Sequence, residues 1–264
     1  MGIPKEQVEE ALARGFLNGG ALRKEDRQKA LELTPLLDEM VRALPRLTSV
    51  RPLKQPLVIV DACAGKSAAG ILFLALADRG ARARVLALDA DAARVRHAHE
   101  GARALGVAER IDPRGADVAD ATAWPACPDL VVALHACGDA SDVVIDRAVS
   151  CGARRVLLVP CCYGAAATRT HDGRAARVAA QGHADRWART VGIPRHALVQ
   201  RRFAQAVIDA ERTLRLEAAG YQTEVVELMP PTVSPFCLLW RAKRVGEPTR
   251  SAAAALDHAT IRSG

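Results

Sequence analysis

From Leu57 to Pro160, short apolar runs alternate with stretches of helical periodicity, and that rhythm leaves few ways to fold. The runs Leu57 to Asp61, Arg84 to Asp89, Arg110 to Pro113, Leu130 to Leu134 and Arg155 to Pro160 read as strands. Their nearly continuous apolar composition fits strands buried on both faces. Between them, Ser67 to Arg79, Ala92 to Leu105 and Ser141 to Ser150 read as helices. Strands separated by helices make a parallel sheet covered on both sides, so the expected class is α/β with a Rossmann-like doubly wound sheet. Ala204 to Ala219 adds a helix, and Tyr221 to Leu228 and Phe236 to Ala242 read as two closing strands joined through Met229-Pro230-Pro231-Thr232-Val233.

Two amphipathic helical stretches, Lys5 to Phe16 and Lys24 to Leu44, precede the sheet and flank Asn18-Gly19-Gly20, whose glycines suit a helix end. Leu31, Leu33, Leu36, Leu37, Met40, Val41 and Leu44 recur at helical spacing, which predicts that one face of the second helix packs on the core. The domain reading is therefore an N-terminal helical cap over 1–50, a sheet domain over 51–244 and a loose tail over 245–264. Residues 164–194 break the rhythm with Gly, Thr, His and Arg, and are expected to form an insertion or lid with a helix near Gly173 to Arg189. With 264 residues, half of them hydrophobic, one large core is within reach.

The first strand and its sequel, Val58 to Gly70, read VIVDACAGKSAAG. Gly65-Lys66-Ser67 matches the end of a phosphate-binding P-loop, which needs a further glycine five positions before Gly65 so that backbone N–H groups can wrap a phosphate. That position is Val60, inside the strand. The competing reading is Asp61-x-x-Ala64-Gly65, a tight turn that lets a ligand approach the backbone next to a carboxylate. It suits S-adenosylmethionine, which carries a sulfonium, a ribose and an amino acid but no phosphate.

In a doubly wound sheet the ligand lies at the carboxyl ends of the strands, so the residues delivered there are the candidate site. Strand one delivers Asp61, Ala64, Gly65 and Lys66, and strand two delivers Asp89, 24 residues beyond Gly65. That interval suits an acidic side chain reaching ribose hydroxyls. The loop after strand three delivers Asp117 and Val118, with Asp117 able to accept from an adenine amino group. Strand four delivers His135, Cys137 and Asp139, and strand five delivers Cys161, Cys162 and Tyr163.

The run Ala133-Leu134-His135-Ala136-Cys137-Gly138-Asp139-Ala140-Ser141-Asp142, with Asp61-x-x-Ala64-Gly65-Lys66 and Pro160-Cys161-Cys162-Tyr163, resembles a group of class I methyltransferases. The group includes methyltransferase-like 25 proteins, the glutathione-S-transferase C-terminal-domain-containing protein and a type of tRNA 2′-O-methyltransferase. The resemblance spans about Lys24 to Lys243. It implies a Rossmann-like fold with a final antiparallel strand pair, and S-adenosyl-L-methionine surrounded by Asp61, Gly65, Asp89, Asp117 and His135. Ser67 departs from the pattern, standing where the group often has another glycine.

The expected activity is transfer of a methyl group from S-adenosylmethionine to a nucleophilic oxygen or nitrogen, mainly by alignment. His135 is the first candidate base, since an imidazole titrates near neutrality, and Asp139 the second. Cys162 and Tyr163 are candidate substrate contacts, Tyr163 by stacking a planar target. RNA, a tRNA or rRNA, is the expected substrate, read from the net charge of +7, the arginine-rich stretch Arg169 to Arg202 and the resemblance. A small molecule, a protein side chain, or a non-catalytic scaffold that keeps the fold are the alternatives, since aromatics make up only 3 % of the chain.

His135, Cys137, Cys161 and Cys162 invite a metal reading, but no CxxC pair is present and adjacent cysteines point to opposite sides of an extended chain. No metal is expected. Cys63, Cys127, Cys151 and Cys237 read as buried apolar thiols. Met1 to Glu10 is charged and lacks the apolar stretch that export requires, and charges interrupt every candidate membrane span. A cytoplasmic protein is expected, with no membrane partner.

Overall fold

The computed structural model describes residues 2–48, 55–77, 82–136, 138, 140–160, 189–193, 197–234 and 237–246. Helices α1 (Lys5–Phe16) and α2 (Lys24–Thr48) precede strand β1 (Leu57–Ala62). Then follow α3 (Ala68–Leu72), β2 (Ala83–Asp89), α4 (Ala92–Ala104), β3 (Ile111–Gly115), β4 (Leu130–Ala136), α5 (Ala140–Ser150) and β5 (Arg155–Pro160). A long helix α6 (Ala197–Ala218) leads to β6 (Tyr221–Glu227) and β7 (Leu238–Arg244).

The seven strands form one sheet in the order β3-β2-β1-β4-β5-β7-β6. The first five are parallel, and β7 runs antiparallel between β5 and β6. This is the expected class I arrangement with its closing antiparallel pair. Pro113 lies in β3, which is tolerable because β3 is an edge strand and owes hydrogen bonds to β2 alone.

Two apolar cores cover the two sheet faces. One joins α1 to α4 with β1 and β2 through residues such as Leu36, Ile59, Phe73 and Val85. The other joins α5 and α6 with β4, β5 and β7 around Val131, Leu158 and Trp240. In α2, Leu33, Leu36, Leu37 and Met40 are fully buried. Each such side chain contributes about 1.5–3 kcal/mol by leaving water. Leu31, expected on the same face, is instead exposed, because the helical stripe runs through residues 33, 36, 37 and 40 and turns 31 outward.

The helix expected over Ser67 to Arg79 is regular only to Leu72 and then widens into a π-turn over Phe73–Ala77. Arg110 donates to the Leu74 carbonyl within this turn at 2.8 Å. Most of the 164–194 insertion, including its expected helix, lies outside the described residues, as do 247–264 of the tail.

Candidate methyl-donor site

Strands β1 and β4 are adjacent in the sheet, while the chain between them runs outward through β2 and β3 and back. Their carboxyl ends therefore flank the point where strand order reverses, the crevice in which open α/β sheets bind ligands. Left-handed backbone concentrates here. Cys63, Gly65 and Ser67 after β1 have φ of 55°, 60° and 53°, and His135 and Gly138 at the end of β4 have 64° and 61°. Such conformations cost a non-glycine residue about 1–2 kcal/mol and persist where surrounding bonds fix them.

Those bonds start at Asp61. Its carboxylate, 2 % exposed, accepts from the Ser67 hydroxyl at 2.7 Å and the Gly70 N–H at 3.1 Å through one oxygen. Ser67 thus holds a conformation suited to glycine because its buried hydroxyl anchors the turn from within. The departure from the glycine pattern is compensated by a hydrogen bond that glycine cannot make. Gly70 is required by close approach. An added Cβ would lie 2.8 Å from Val85 Cγ1 and 2.9 Å from Ser67 Oγ. Gly70→Ala is expected to destabilise the fold by about 1–3 kcal/mol, measured by chemical denaturation, and to loosen the turn.

Burial pushes the Asp61 carboxyl up to about 6 against the Ser67 and Gly70 bonds and the charge of Lys29, with Asp89 adding to the rise. The protonated form is favoured by the folded state. Its contribution to stability is therefore fully present below the ordinary value of 3.8 and is lost as pH rises through about 6. Asp61→Asn should flatten the stability profile across this window by about 3 kcal/mol, read as the denaturation midpoint against pH. An unchanged slope would show that Asp61 ionises as it does in water.

Asp89 closes the other side of the turn. Its Oδ2 accepts from the Gly65 N–H at 2.7 Å, and its Oδ1 accepts from the Asp91 N–H at 2.9 Å. The Ala64 N–H donates to the Leu88 carbonyl, tying the same turn to β2. Above Gly65 lies open space, with no atom within 4 Å of an added Cβ. A concave turn, a carboxylate at the ends of two strands and room over the glycine fit a nucleoside bound flat against the backbone. Asp117 is exposed and caps its own turn through the Ala119 N–H, while Val118 is buried and its carbonyl accepts from Trp124 Nε1 at 2.9 Å. Lys66 is exposed, and its charge reaches Asp26 at the start of α2.

His135 forms a bulge where the β4–β5 register shifts between Leu134 and Ala136. Its Nε2 meets Glu32 Oε2 at 2.6 Å, a contact from the third turn of α2 across 103 residues of sequence. Burial alone would raise the Glu32 carboxyl, but the bond and charge of His135, with Lys29 and Gln28, outweigh it and hold Glu32 below its ordinary value. Lys29 Nζ lies 3.8 Å from Glu32 Oε2. Lost hydration lowers the Lys29 ammonium against the pull of Glu32 and Asp61. Gln28 Nε2 in turn donates to the Val233 carbonyl in the β6–β7 loop. Sequence reasoning missed Lys29 and Glu32, whose i, i+3 spacing on an amphipathic helix looks like an ordinary surface ion pair.

The loop after β4 is held from behind. Ser141 Oγ donates to the Ala136 carbonyl at 2.6 Å. Asp142 accepts two bonds from the Arg212 guanidinium, each 3.1 Å long, and Arg212 also donates to the Gly138 carbonyl at 3.2 Å. Ser141 thus ties α5 to the end of β4, and Asp142 ties it to α6. Cys137, Asp139, Cys161, Cys162 and Tyr163 lie outside the described residues. Of the thiols expected to be buried, only Cys237 is. Cys127 is exposed, and Cys63 and Cys151, which sit in turns, are intermediate and pack against the edge of a core.

A family profile described as a methyltransferase domain matches residues 33–169. No curated protein matches the chain in sequence. Among solved structures, the magnesium protoporphyrin IX methyltransferase of Synechocystis PCC 6803, with bound S-adenosylhomocysteine, is similar at 14 % identity and a TM-score of 0.51, over 91 % of this chain and 100 % of that one. A protein provisionally assigned as a caffeoyl-CoA O-methyltransferase from Staphylococcus aureus is similar at 11 % identity and a TM-score of 0.50, over 91 % and 92 %. At these identities the likeness is one of fold. The family profile covers more than half of the 264 residues, and the chain belongs to the methyltransferase-domain family as an S-adenosylmethionine-dependent methyltransferase.

Proposed function

We propose that S-adenosylmethionine lies over the turn between β1 and α3, with its ribose hydroxyls on Asp89 and its adenine toward Asp117 and Val118. The supporting observation is the Gly65 N–H bond to Asp89 at 2.7 Å beneath open space, at the reversal of strand order. Asp61 acts through Ser67 and Gly70, shaping the turn from below. When bound, the cofactor supplies an electrophilic methyl group on a sulfonium, and the protein's part is to align it with the acceptor. Titration calorimetry is expected to show binding of S-adenosylmethionine and none of ATP with magnesium. The reverse result would revive the phosphate-loop reading.

The acceptor we propose is an oxygen or nitrogen of RNA, supported by the net charge of +7 and the arginines between Arg169 and Arg202. Arg212 and Arg215 do not add to that surface, since both are committed to Asp142. Incubation with labelled methyl donor and separated RNA, protein and metabolite pools should place label in RNA, and label confined to another pool excludes this acceptor. Arg174→Ala with Arg177→Ala should weaken RNA binding and reduce the salt slope by up to about 2. Unaltered affinity and slope would remove the role of that stretch.

A further inference from the structure

We propose that the cleft between α2 and the β5-β7-β6 corner of the sheet binds the sugar-phosphate backbone of an RNA acceptor, at the end of the sheet opposite the donor turn. This rests on the RNA reading above and adds a surface separate from the arginines between Arg169 and Arg202. The cleft encloses about 590 Å³. Strand register builds its floor. Leu239 and Val226 face each other as an apolar row that packs into the core under α2. Two residues along each strand the same sheet face comes up again, now as Leu157, Arg241 and Glu224, and two further on as Arg155, Lys243 and Gln222. The apolar core thus gives way to charge at the amino end of β5. Glu39, Arg42 and Ala43 of α2 form the facing wall.

Four cations, Arg42, Arg155, Arg241 and Lys243, line the cleft against two carboxylates, Glu39 and Glu224. Glu39 is 7 % exposed and accepts from Arg42 and, at 2.8 Å, from Arg241. Lodged between two guanidiniums, it holds both against the cleft. Glu224 lies 3.6 Å from Arg241 Nη1. Arg155 and Lys243 are register partners, two cations directly opposite on neighbouring strands, an arrangement that repels by itself and that a phosphate between them favours. Phosphodiesters fit such a lining, since each carries a single negative charge and planar guanidiniums match its oxygens in pairs. Helix α2 joins the two ends of the sheet. From Glu32, which meets His135 at the end of β4, to Glu39 is roughly 10 Å at about 1.5 Å per residue, and β5 from Arg155 to Pro160 spans roughly 17 Å at about 3.3 Å per residue. A stacked strand advances about 3.4 Å per nucleotide, so roughly three to five nucleotides reach from the donor end to the cleft.

In the full chain, Lys243→Ala with Arg42→Ala should weaken binding of a labelled oligouridylate of about 12 nucleotides by roughly 10-fold, and lower the slope of log affinity against log salt by about 1.4, since each phosphate contact contributes about 0.7. Calorimetric affinity for S-adenosylmethionine and the denaturation midpoint should stay close to wild type. With the RNA pool as acceptor, KM should rise while kcat at saturating RNA holds. Glu224→Gln removes an anion from the cleft and should act in the opposite direction, tightening the same oligonucleotide by about 2- to 5-fold. A merely structural role would not move the two variants apart in this way. Wild-type affinity and slope in the double variant, or no tightening in Glu224→Gln, would overturn the inference alone while label in the RNA pool keeps the acceptor reading. A wild-type protein that neither binds the oligonucleotide nor labels the RNA pool would overturn the RNA reading and this inference together.

Discussion

Replacing Asp89 with alanine is expected to weaken S-adenosylmethionine by roughly 30- to 150-fold and, by stranding the Gly65 and Asp91 N–H groups, to lower the denaturation midpoint as well. Two contributions add. The carboxylate offers charge-assisted acceptors to ribose hydroxyls, each worth about 1.5–3 kcal/mol against an uncharged replacement, with part recovered by water. It also holds the Gly65 N–H at 2.7 Å, so its loss lets the turn relax away from the shape the ligand meets. Asp89→Asn separates them. The amide oxygen can still accept from Gly65 while the charge and the acceptor for the Asp91 N–H are gone, so its affinity should fall between wild type and Asp89→Ala. Calorimetric dissociation constants equal for all three proteins would remove Asp89 from the ribose.

The second large effect is on stability. Arg212 is 2 % exposed, at the centre of an ion-pair network with Asp142, and its loss leaves Asp142 with Arg215 at 3.2 Å as its remaining cation among the described residues. Breaking a buried pair by removing one member costs about 3–5 kcal/mol because a desolvated charge is stranded, and Arg215 should keep Arg212→Ala near the lower end. The loss should be visible in urea as a lower midpoint with an unchanged slope. Arg212→Met with Asp142→Leu, which removes both charges and keeps the volume, should recover much of the stability. If the single substitution leaves the midpoint in place, the network contributes nothing net.

Much of the architecture was legible from periodicity. Strand β5 and helix α1 have the bounds that the apolar pattern implies, and the other strands differ by one to a few residues at their ends. The parallel order followed from helices between strands, since parallel neighbours need crossovers. The π-turn was not legible, because Phe73–Ala77 has the composition of an ordinary helix. Of the candidate donor-site residues, Asp89 bonds the Gly65 N–H at 2.7 Å, a contact the spacing did not specify, since the spacing spoke only of reach toward ribose hydroxyls. The same pattern could not tell that Asp61 faces inward to Ser67. A strand places alternate residues on opposite faces, but the turn after it decides where the last carboxylate points. Glu32 was hidden for a different reason. Its partner, His135, is 103 residues away and reaches it only because a bulge turns the strand end toward α2.

The ties of Gln28 to Val233 and of Glu32 to His135 bear on where this protein begins as a working unit. Trimmed to the sheet and its crossover helices, the chain would keep the turn around Gly65 and every strand that supports it. It would also lose Leu33, Leu36, Leu37 and Met40, the fully buried face that α2 lays on the sheet. A shortened protein of that kind should expose that apolar face and aggregate, so the helices ahead of the sheet belong to the folding unit and an assay run without them would report an inactive protein for a reason unrelated to its chemistry.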